Sequence, residues 1–363
     1  MSEIIGFIGF GLIGGSIAKG LKKVHPDWKM LACSRTAGKL EAARADGVLD
    51  EIVTSPKELA GCDFIFLCTP VSCIPGYLAK LKDVVKPGCI LTDVGSTKSN
   101  VHHAVLAQGL SHCFIGGHPM AGSEQTGYEN ATDHLVENAY YVLTPTPQSS
   151  PADLKKLTAL VLDLHGIPLV LDPEEHDSVV AAVSHLPHLI AAGLVNLVAR
   201  SDSSRQTMKT VAAGGFKDIT RIASSSPEMW QQICMENREN IMKILRDYIA
   251  DMEGIYHELE NSDAAGLFRL FEESGEYRSS ISDRSAGPLK KEYAVYCDIV
   301  DEAGAIATIA TILSVHQISI KNIGIVHNRE FEQGALKIVF YDEDSASRAA
   351  ETLDSCHYHI TVR

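Results

Sequence analysis

Residues 3–16 read EIIGFIGFGLIGGS: an apolar strand runs straight into glycines and then into a helical pattern from Ile17 to Val24. Each glycine has its own task. Gly9 permits the tight turn, Gly11 lets backbone approach a pyrophosphate, and Gly14 lets the helix pack close to the strand. The helix N-terminus then faces the phosphates. Gly9, Gly11, Leu12, Ile13 and Gly14 are therefore read as dinucleotide-binding positions in a Rossmann-type α/β fold.

Downstream, short apolar strands at Lys29 to Ser34, Asp63 to Thr69, Cys89 to Asp93, Cys113 to Ile115 and Ala139 to Leu143 alternate with amphipathic helices. This predicts a parallel, doubly wound sheet over 1–172. From Pro173 the pattern changes to helical periodicity almost without strand signals, longest around 174–200 and 227–260, which predicts an all-α second domain over 173–285. Glu272 to Pro288, rich in charged and small residues, reads as a linker. The last stretch, 292–363, reads as a small α+β domain of order βαββαβ. Its elements are Tyr293 to Val300, Gly304 to His316, Ser319 to His327, Ala335 to Tyr341, Glu343 to Leu353 and His357 to Val362.

The 363 residues are 45% hydrophobic and 21% charged, as in a soluble globular protein. A net charge of −14 argues against nucleic acid or an anionic membrane as partner, so an anionic small substrate must be collected by a local basic pocket. Nine cysteines without a C-x-x-C or a metal-like pairing with histidine read as reduced thiols of a cytoplasmic protein, with no metal site. The N-terminus has no signal-peptide pattern. The most apolar segment, Leu186 to Val198, is too short to span a membrane and holds His188 and Asn196.

Where an acidic residue usually accepts the ribose hydroxyls of NAD, this chain has Ser34 and Arg35. Ser34 can bond a 2′-phosphate and Arg35 can pair with it or stack on adenine, so the cofactor is read as NAD or NADP, with the pair inclining the reading to NADP acceptance.

Four segments carry reactive side chains. In D-V-G-S-T-K, 93–98, Ser96 follows a strand and is placed either to bond a substrate hydroxyl or to cap the next helix. In G-G-H-P-M-A-G-S-E, 116–124, glycines crowd around His118, a residue able to take a proton from an alcohol as hydride leaves its carbon. Asp177, Ser184 and His188 are spaced by seven and four, which at about 100° per residue puts all three on one helix face and points His185 elsewhere. That polar stripe reads as a binding face or a buried hydrogen-bond network, and Pro187 implies a kink. In G-G-F-K-D-I-T-R-I-A, 214–223, the Arg221 guanidinium suits a carboxylate, with Lys217 assisting or solvated.

Together with S-H-L-P-H at 184–188, these segments make the chain, from Gly9 to about Asn240, resemble prephenate dehydrogenases. The resemblance implies oxidation of prephenate, a cyclohexadienol with a ring carboxylate and a pyruvyl side chain, to 4-hydroxyphenylpyruvate and carbon dioxide on the route to tyrosine. It implies His118 as the proton acceptor and Ser96 as the residue orienting the hydroxyl. It also implies His188 and Arg221 on the carboxylate-bearing parts, Glu124 in an ionic gate, and Asp177, Ser184, Lys217, Asp218 and Trp230 in support. The helical part would be the homodimer contact. The third domain resembles an ACT module through D-E-A-G-A-I-A at 301–307 and I-S-I-K-N-I-G-I at 318–325, with Asp301, Gly304 and Asn322 as regulatory positions and tyrosine as effector. Ala303 stands where that module often carries proline. No chorismate mutase segment is expected ahead of the glycine strand. Arogenate in place of prephenate, and a non-catalytic NAD(P) and amino-acid sensor, are the rival readings.

Overall fold

The computed structural model describes residues 2–34, 38, 40–122, 125–282, 293–299, 304–326, 334–356 and 358–362. Its contacts divide the chain into two compact units, 1–270 and 271–363.

The first unit opens with β1 (Ile4–Ile8), α1 (Leu12–Val24), β2 (Lys29–Cys33), α2 (Glu41–Ala45), β3 (Glu51–Val53), β4 (Phe64–Leu67), α3 (Ile74–Leu81), β5 (Ile90–Asp93) and α4 (Ser99–Ala107). The strands form a parallel five-stranded sheet in the order β3-β2-β1-β4-β5. Because β1 and β4 are sandwiched on both faces, they are continuous apolar runs, IIGFI and FIFL, rather than alternating ones. On one face Ile5, Phe7 and Phe66 pack with Ile17 and Leu21 of α1. On the other, Ile8, Leu67 and Leu91 pack with Leu78 of α3 and Val101 and Val105 of α4.

The expectation of one parallel sheet needs correction beyond β5. Strands β6 (Ile115–Pro119), β7 (Tyr140–Pro145) and β8 (Ile167–Val170), with α5 (Pro151–Asp163) between the last two, form a separate sheet in which β6 and β7 are antiparallel. A single bridge between Leu91 and Phe114 joins it to the edge of the first. The physical reason is local: β6 to β7 has no crossover helix, and antiparallel strands need none.

Helices then follow without a strand: α6 (Pro173–Val180), a π turn (Ala181–His185), α7 (Leu186–Ser201), α8 (Thr207–Val211), α9 (Gly214–Thr220), a 3-10 turn (Arg221–Ser224), α10 (Pro227–Glu236), α11 (Arg238–Glu260) and α12 (Ala264–Ser282). The residues from Glu272 read as a linker are still helical to Ser282. Pro173 to Ser201 is one helical run of 29 residues, long and apolar enough by length to cross a membrane, so the length argument against a span does not hold. The run also carries His176, Asp177 and His185, which are buried and bonded within the protein.

In the second unit β9 (Tyr293–Ile299), α13 (Ala305–Val315), β10 (Ile320–Val326), β11 (Gly334–Phe340), α14 (Glu343–Ser355) and β12 (Ile360–Val362) give the expected βαββαβ order. The sheet is antiparallel, in the order β10-β11-β9-β12, over a core of Val295, Cys297, Ile309, Leu313, Leu336, Ile338 and Leu353. Gly304, at φ +98°, forms the left-handed entry to α13, and Asn322 follows a register irregularity in β10. Asp301 lies outside the described residues.

Candidate active site

The glycine turn has the geometry its sequence asks for. Gly9 sits at φ +86°, and a Cβ there would stand 2.5 Å from the Cys68 carbonyl oxygen. At Gly14 a Cβ would meet Cys68 and the Gly9 carbonyl oxygen at 3.1 Å, whereas at Gly11 it would project into open space. That open cradle faces the start of α1, whose N-cap Gly11 gives no side-chain bond and whose first turn has no acidic residue, leaving N–H groups for an anion. Leu12 and Ile13 are half-buried at the first helical positions. The residues present therefore fit a dinucleotide pyrophosphate. Ser34 is half-buried just after β2, and Arg35 lies outside the described residues.

The carboxyl ends of β5 and β6 are tied together by one side chain. Asp93, at the end of β5, accepts from Gly95 N through Oδ2 at 2.8 Å and from Gly117 N through Oδ1 at 3.2 Å. Those peptides adjoin Ser96 and His118, so one carboxylate sets the spacing of the loop that carries the serine and the strand that carries the histidine. Asp93 also pairs with the Lys98 ammonium, and both side chains are 0% exposed. Ser96 does not cap the following helix: α4 begins at Ser99, and its first N–H groups are held by Asp177 instead. Lys98 N and Ser99 N donate to Asp177 Oδ1 and Oδ2 at 2.7 and 2.8 Å.

Asp177 ends a buried chain of three groups. His118 Nδ1 lies 2.8 Å from His176 Nε2, and His176 Nδ1 lies 2.8 Å from Asp177 Oδ1. Burial pushes the Asp177 pKa up, but the hydrogen bonds from His176, Ser99 and Lys98 outweigh it and hold the carboxyl below its ordinary value. The ionised carboxylate can only accept, and that sets the order of donors along the chain. His176 Nδ1–H donates to Asp177, His118 Nδ1–H donates to His176 Nε2, and His118 Nε2 keeps its lone pair. Burial, then His176, Lys98 and His185, against the opposing pull of Asp177, hold His118 well below the ordinary histidine pKa. The result is a neutral imidazole of defined tautomer, the form a proton acceptor requires.

The helical face differs from its expected phase. The π turn at Ala181–His185 adds one residue to the helix, which rotates everything after it back by roughly 100° relative to a regular α-helix. Pro187 supplies a reason, since its ring would clash with the carbonyl four residues earlier in an α-helix. His185, expected to point away, therefore joins the Asp177 face. It is fully buried, its Nδ1 lies 3.2 Å from Asn237 Nδ2, and Asn237 Nδ2 also donates to the Asp177 carbonyl at 2.7 Å. Burial pushes His185 down to about 4. Ser184 and His188 leave that face together. Ser184 is half-buried and its carbonyl accepts from His188 Nδ1 at 2.9 Å. His188 stacks on Trp230 with ring centroids 3.6 Å apart, and burial, with Arg221 close enough to add repulsion, lowers its pKa.

The structure thus links the Ser96 loop, His118 and Asp177 through Asp93, Lys98 and His176, and groups His188 with Trp230 and Arg221. Lys217 and Asp218 are exposed on α9, and Glu124 lies outside the described residues. Sequence reasoning missed His176, Asn237 and the joint use of Asp93 and Lys98. His176 stood beside the singled-out Asp177, and Asp93 and Lys98, five positions apart, bounded the Ser96 segment, but the bonds that give them their roles, His118 to His176 and Lys98 to Asp177, span 58 and 79 positions and leave no local signal. Among the described residues, His185 Nε2 and Trp230 Nε1 are buried without a hydrogen-bond partner.

Comparison with known proteins identifies the family. Residues 17–167 match the family described as prephenate dehydrogenase, nucleotide-binding domain, and residues 172–273 match prephenate dehydrogenase, dimerization domain. A prephenate dehydrogenase of Bacillus subtilis (strain 168) is 36% identical over 98% of this chain and 96% of its own length. The crystal structure of prephenate dehydrogenase from A. aeolicus, solved with hydroxyphenyl propionate and NAD+, superposes with a TM-score of 0.73 at 31% identity, covering 77% of this chain and 99% of that one. Synechocystis arogenate dehydrogenase gives a TM-score of 0.69, also at 31% identity, over 77% of this chain and 99% of its own. The chain belongs to the prephenate dehydrogenase family, NAD(P)-dependent oxidoreductases.

Proposed function

We propose that the protein carries out the oxidative decarboxylation of prephenate to 4-hydroxyphenylpyruvate, with the roles divided as follows. His118 Nε2 takes the proton of the ring hydroxyl, and Ser96, held beside it through Asp93, orients that hydroxyl. The bound NAD(P) supplies the hydride acceptor. As the carbinol carbon is oxidised, the bond from the ring to its carboxylate breaks, its electron pair enters the ring, and carbon dioxide leaves as the ring aromatises. The protein need only position the substrate and accept one proton, which matches a site with a single neutral base and no nucleophile. The observation that carries this reading is the chain from His118 through His176 to Asp177, which leaves His118 Nε2 as an acceptor at the carboxyl ends of the strands.

On the recognition side, His188 and Arg221 hold the substrate carboxylates, with Ser184 and Lys217 in support and Glu124 at the entrance. Ser34 and Arg35 admit a 2′-phosphate, so NADP+ is accepted beside NAD+. The helices after Pro173 leave Val183, Leu197, Met242, Ile249 and Phe268 exposed, which a second copy of the chain would cover in a homodimer. The second unit acts as an ACT module, with Gly304 at its αL turn and tyrosine as effector, and the protein works in the cytoplasm.

Arogenate is the second reading, favoured by the arogenate dehydrogenase among the solved relatives. Purified protein mixed with prephenate or arogenate and with NAD+ or NADP+, followed by the absorbance of the reduced cofactor, decides among these. Reduction with prephenate names the substrate and the cofactor. Reduction with arogenate alone moves the substrate, and no reduction with either returns the non-catalytic sensor.

A further inference from the structure

Lys98 and Asp93 bury a cation and an anion completely. Taking such a pair out of water costs more than the attraction returns unless its geometry and further hydrogen bonds are good, so fold stability alone is weak ground for its presence. What the pair does is join the two halves of the catalytic centre. The Lys98 backbone N–H donates to Asp177 Oδ1 at 2.7 Å, while the Lys98 ammonium pairs with Asp93. Asp93 in turn holds Gly95 N and Gly117 N. From one residue, therefore, one bond leads to the acid end of the imidazole chain, and the others lead to the peptides next to Ser96 and His118. The lysine stem also packs on the histidine strand, since a Cβ at Gly116 would lie 3.1 Å from Lys98 Cδ.

We propose that Lys98 is a positioning residue for His118, locking the Ser96 loop, the His118 strand and Asp177 into one register. This rests on the reading of His118 as the base. The groups that act electrostatically on His118 are Lys98, His176 and Asp177 of α6 and His185 of the π turn. All but Asp177 oppose its protonation.

The test compares native protein with Lys98→Met and with the double variant Lys98→Met, Asp93→Asn, which leaves neither charge buried alone and so keeps the question open to measurement if the single variant does not fold. Circular dichroism checks the fold, fluorescence titration gives the Kd for NAD+, and kcat and kcat/KM for prephenate are followed against pH. NAD+ affinity is expected to stay within about 3-fold while kcat falls about 100-fold, the scale of a misplaced reacting group. The acid limb of kcat/KM is expected to move to higher pH in Lys98→Met, because a cation that disfavours protonated His118 is gone, and to move less in the double variant, which also removes the Asp93 anion bonded to the Gly117 peptide. A loss of packing alone would not move that limb in a set direction. Native kcat and an unmoved acid limb in a folded variant overturn the proposal. A parallel His118→Asn variant separates the premise: if it turns over at near-native rate, the base assignment fails, whereas an inactive His118→Asn beside native-like Lys98 variants removes the positioning role alone.

Discussion

The Nδ1 of His118 lies 2.8 Å from the Nε2 of His176, a residue 58 positions away on the other side of the nucleotide-binding sheet's last strands in sequence. His176 is 0% exposed and its second nitrogen is held by Asp177. Nothing about His118 alone would decide which of its nitrogens carries the proton, and this contact decides it.

Replacing His176 with Phe keeps a flat ring of similar size but removes the acceptor for His118 Nδ1–H. The base can then adopt either tautomer, and its ring loses the contact that holds it in place. The expected outcome is a fall in kcat on the order of 10²- to 10⁴-fold, with NAD+ affinity unchanged because the glycine turn is untouched. Steady-state kinetics and a cofactor titration on the same preparation check it. A His176→Phe enzyme within a factor of a few of native would mean that the tautomer is fixed by other groups.

The buried histidines also set a direction for stability against pH. His185 is pushed down to about 4, chiefly by burial, as is His102. A histidine whose folded pKa lies below its unfolded value contributes stability that is complete above the unfolded value. That stability is lost as pH falls from there through the folded value, because the unfolded chain takes up the proton first. Each group is therefore expected to cost roughly 3 kcal/mol as pH drops from about 6.5 to below 4. Thermal melting across that range should show a steep decline, and His185→Asn should flatten part of it. An unchanged slope in that variant would place the proton uptake elsewhere.

The parts of this molecule that sequence reveals are those made by near neighbours. The glycine turn is legible because Gly9, Gly11 and Gly14 lie within six residues and each answers a local steric demand, and the βαββαβ order of the second unit follows from strand and helix periods. The helical stripe was legible in kind but not in phase: a regular helix puts His188 with Asp177, and the single extra residue of the π turn puts His185 there instead. The antiparallel partner of β6 and the bond between His118 and His176 depend on how distant segments pack, and no local pattern encodes either. The helix at the presumed linker, through Ser282, shows the converse, since charged and small residues form solvated helix as readily as loop.

Substrate capture by His188 should depend on pH with a definite sign. Its Nδ1–H is committed to the Ser184 carbonyl, so in the neutral ring Nε2 can only accept, and burial with nearby Arg221 lowers its pKa in the free protein. To hold a carboxylate, Nε2 must take up a proton, and the bound anion raises the pKa to make that favourable. The KM for prephenate is therefore expected to rise as pH increases through the neutral range, accompanied by proton uptake on binding at higher pH. His188→Asn should raise KM by about 10-fold and level its pH dependence, consistent with loss of one charge-assisted hydrogen bond. A KM that keeps its native pH dependence in His188→Asn would assign the carboxylate to other groups.

Gly9→Ala tests whether the turn, rather than the chemistry, limits cofactor binding. At φ +86° an alanine pays the left-handed penalty of about 1–2 kcal/mol. Its methyl would also stand 2.5 Å from the Cys68 carbonyl oxygen, which belongs to the chain just after β4 and has no room to retreat without moving that strand. Relief must come from shifting the turn outward, into the open space beside Gly11 where the pyrophosphate is expected. NAD+ affinity should therefore fall at least 10-fold and thermal stability should drop, while kcat at saturating cofactor changes far less because Asp93, His118 and His176 are held by separate contacts. Cofactor titration and saturation kinetics on the variant check both halves. A large loss of kcat with native affinity would show that the turn positions the nicotinamide end rather than the phosphates.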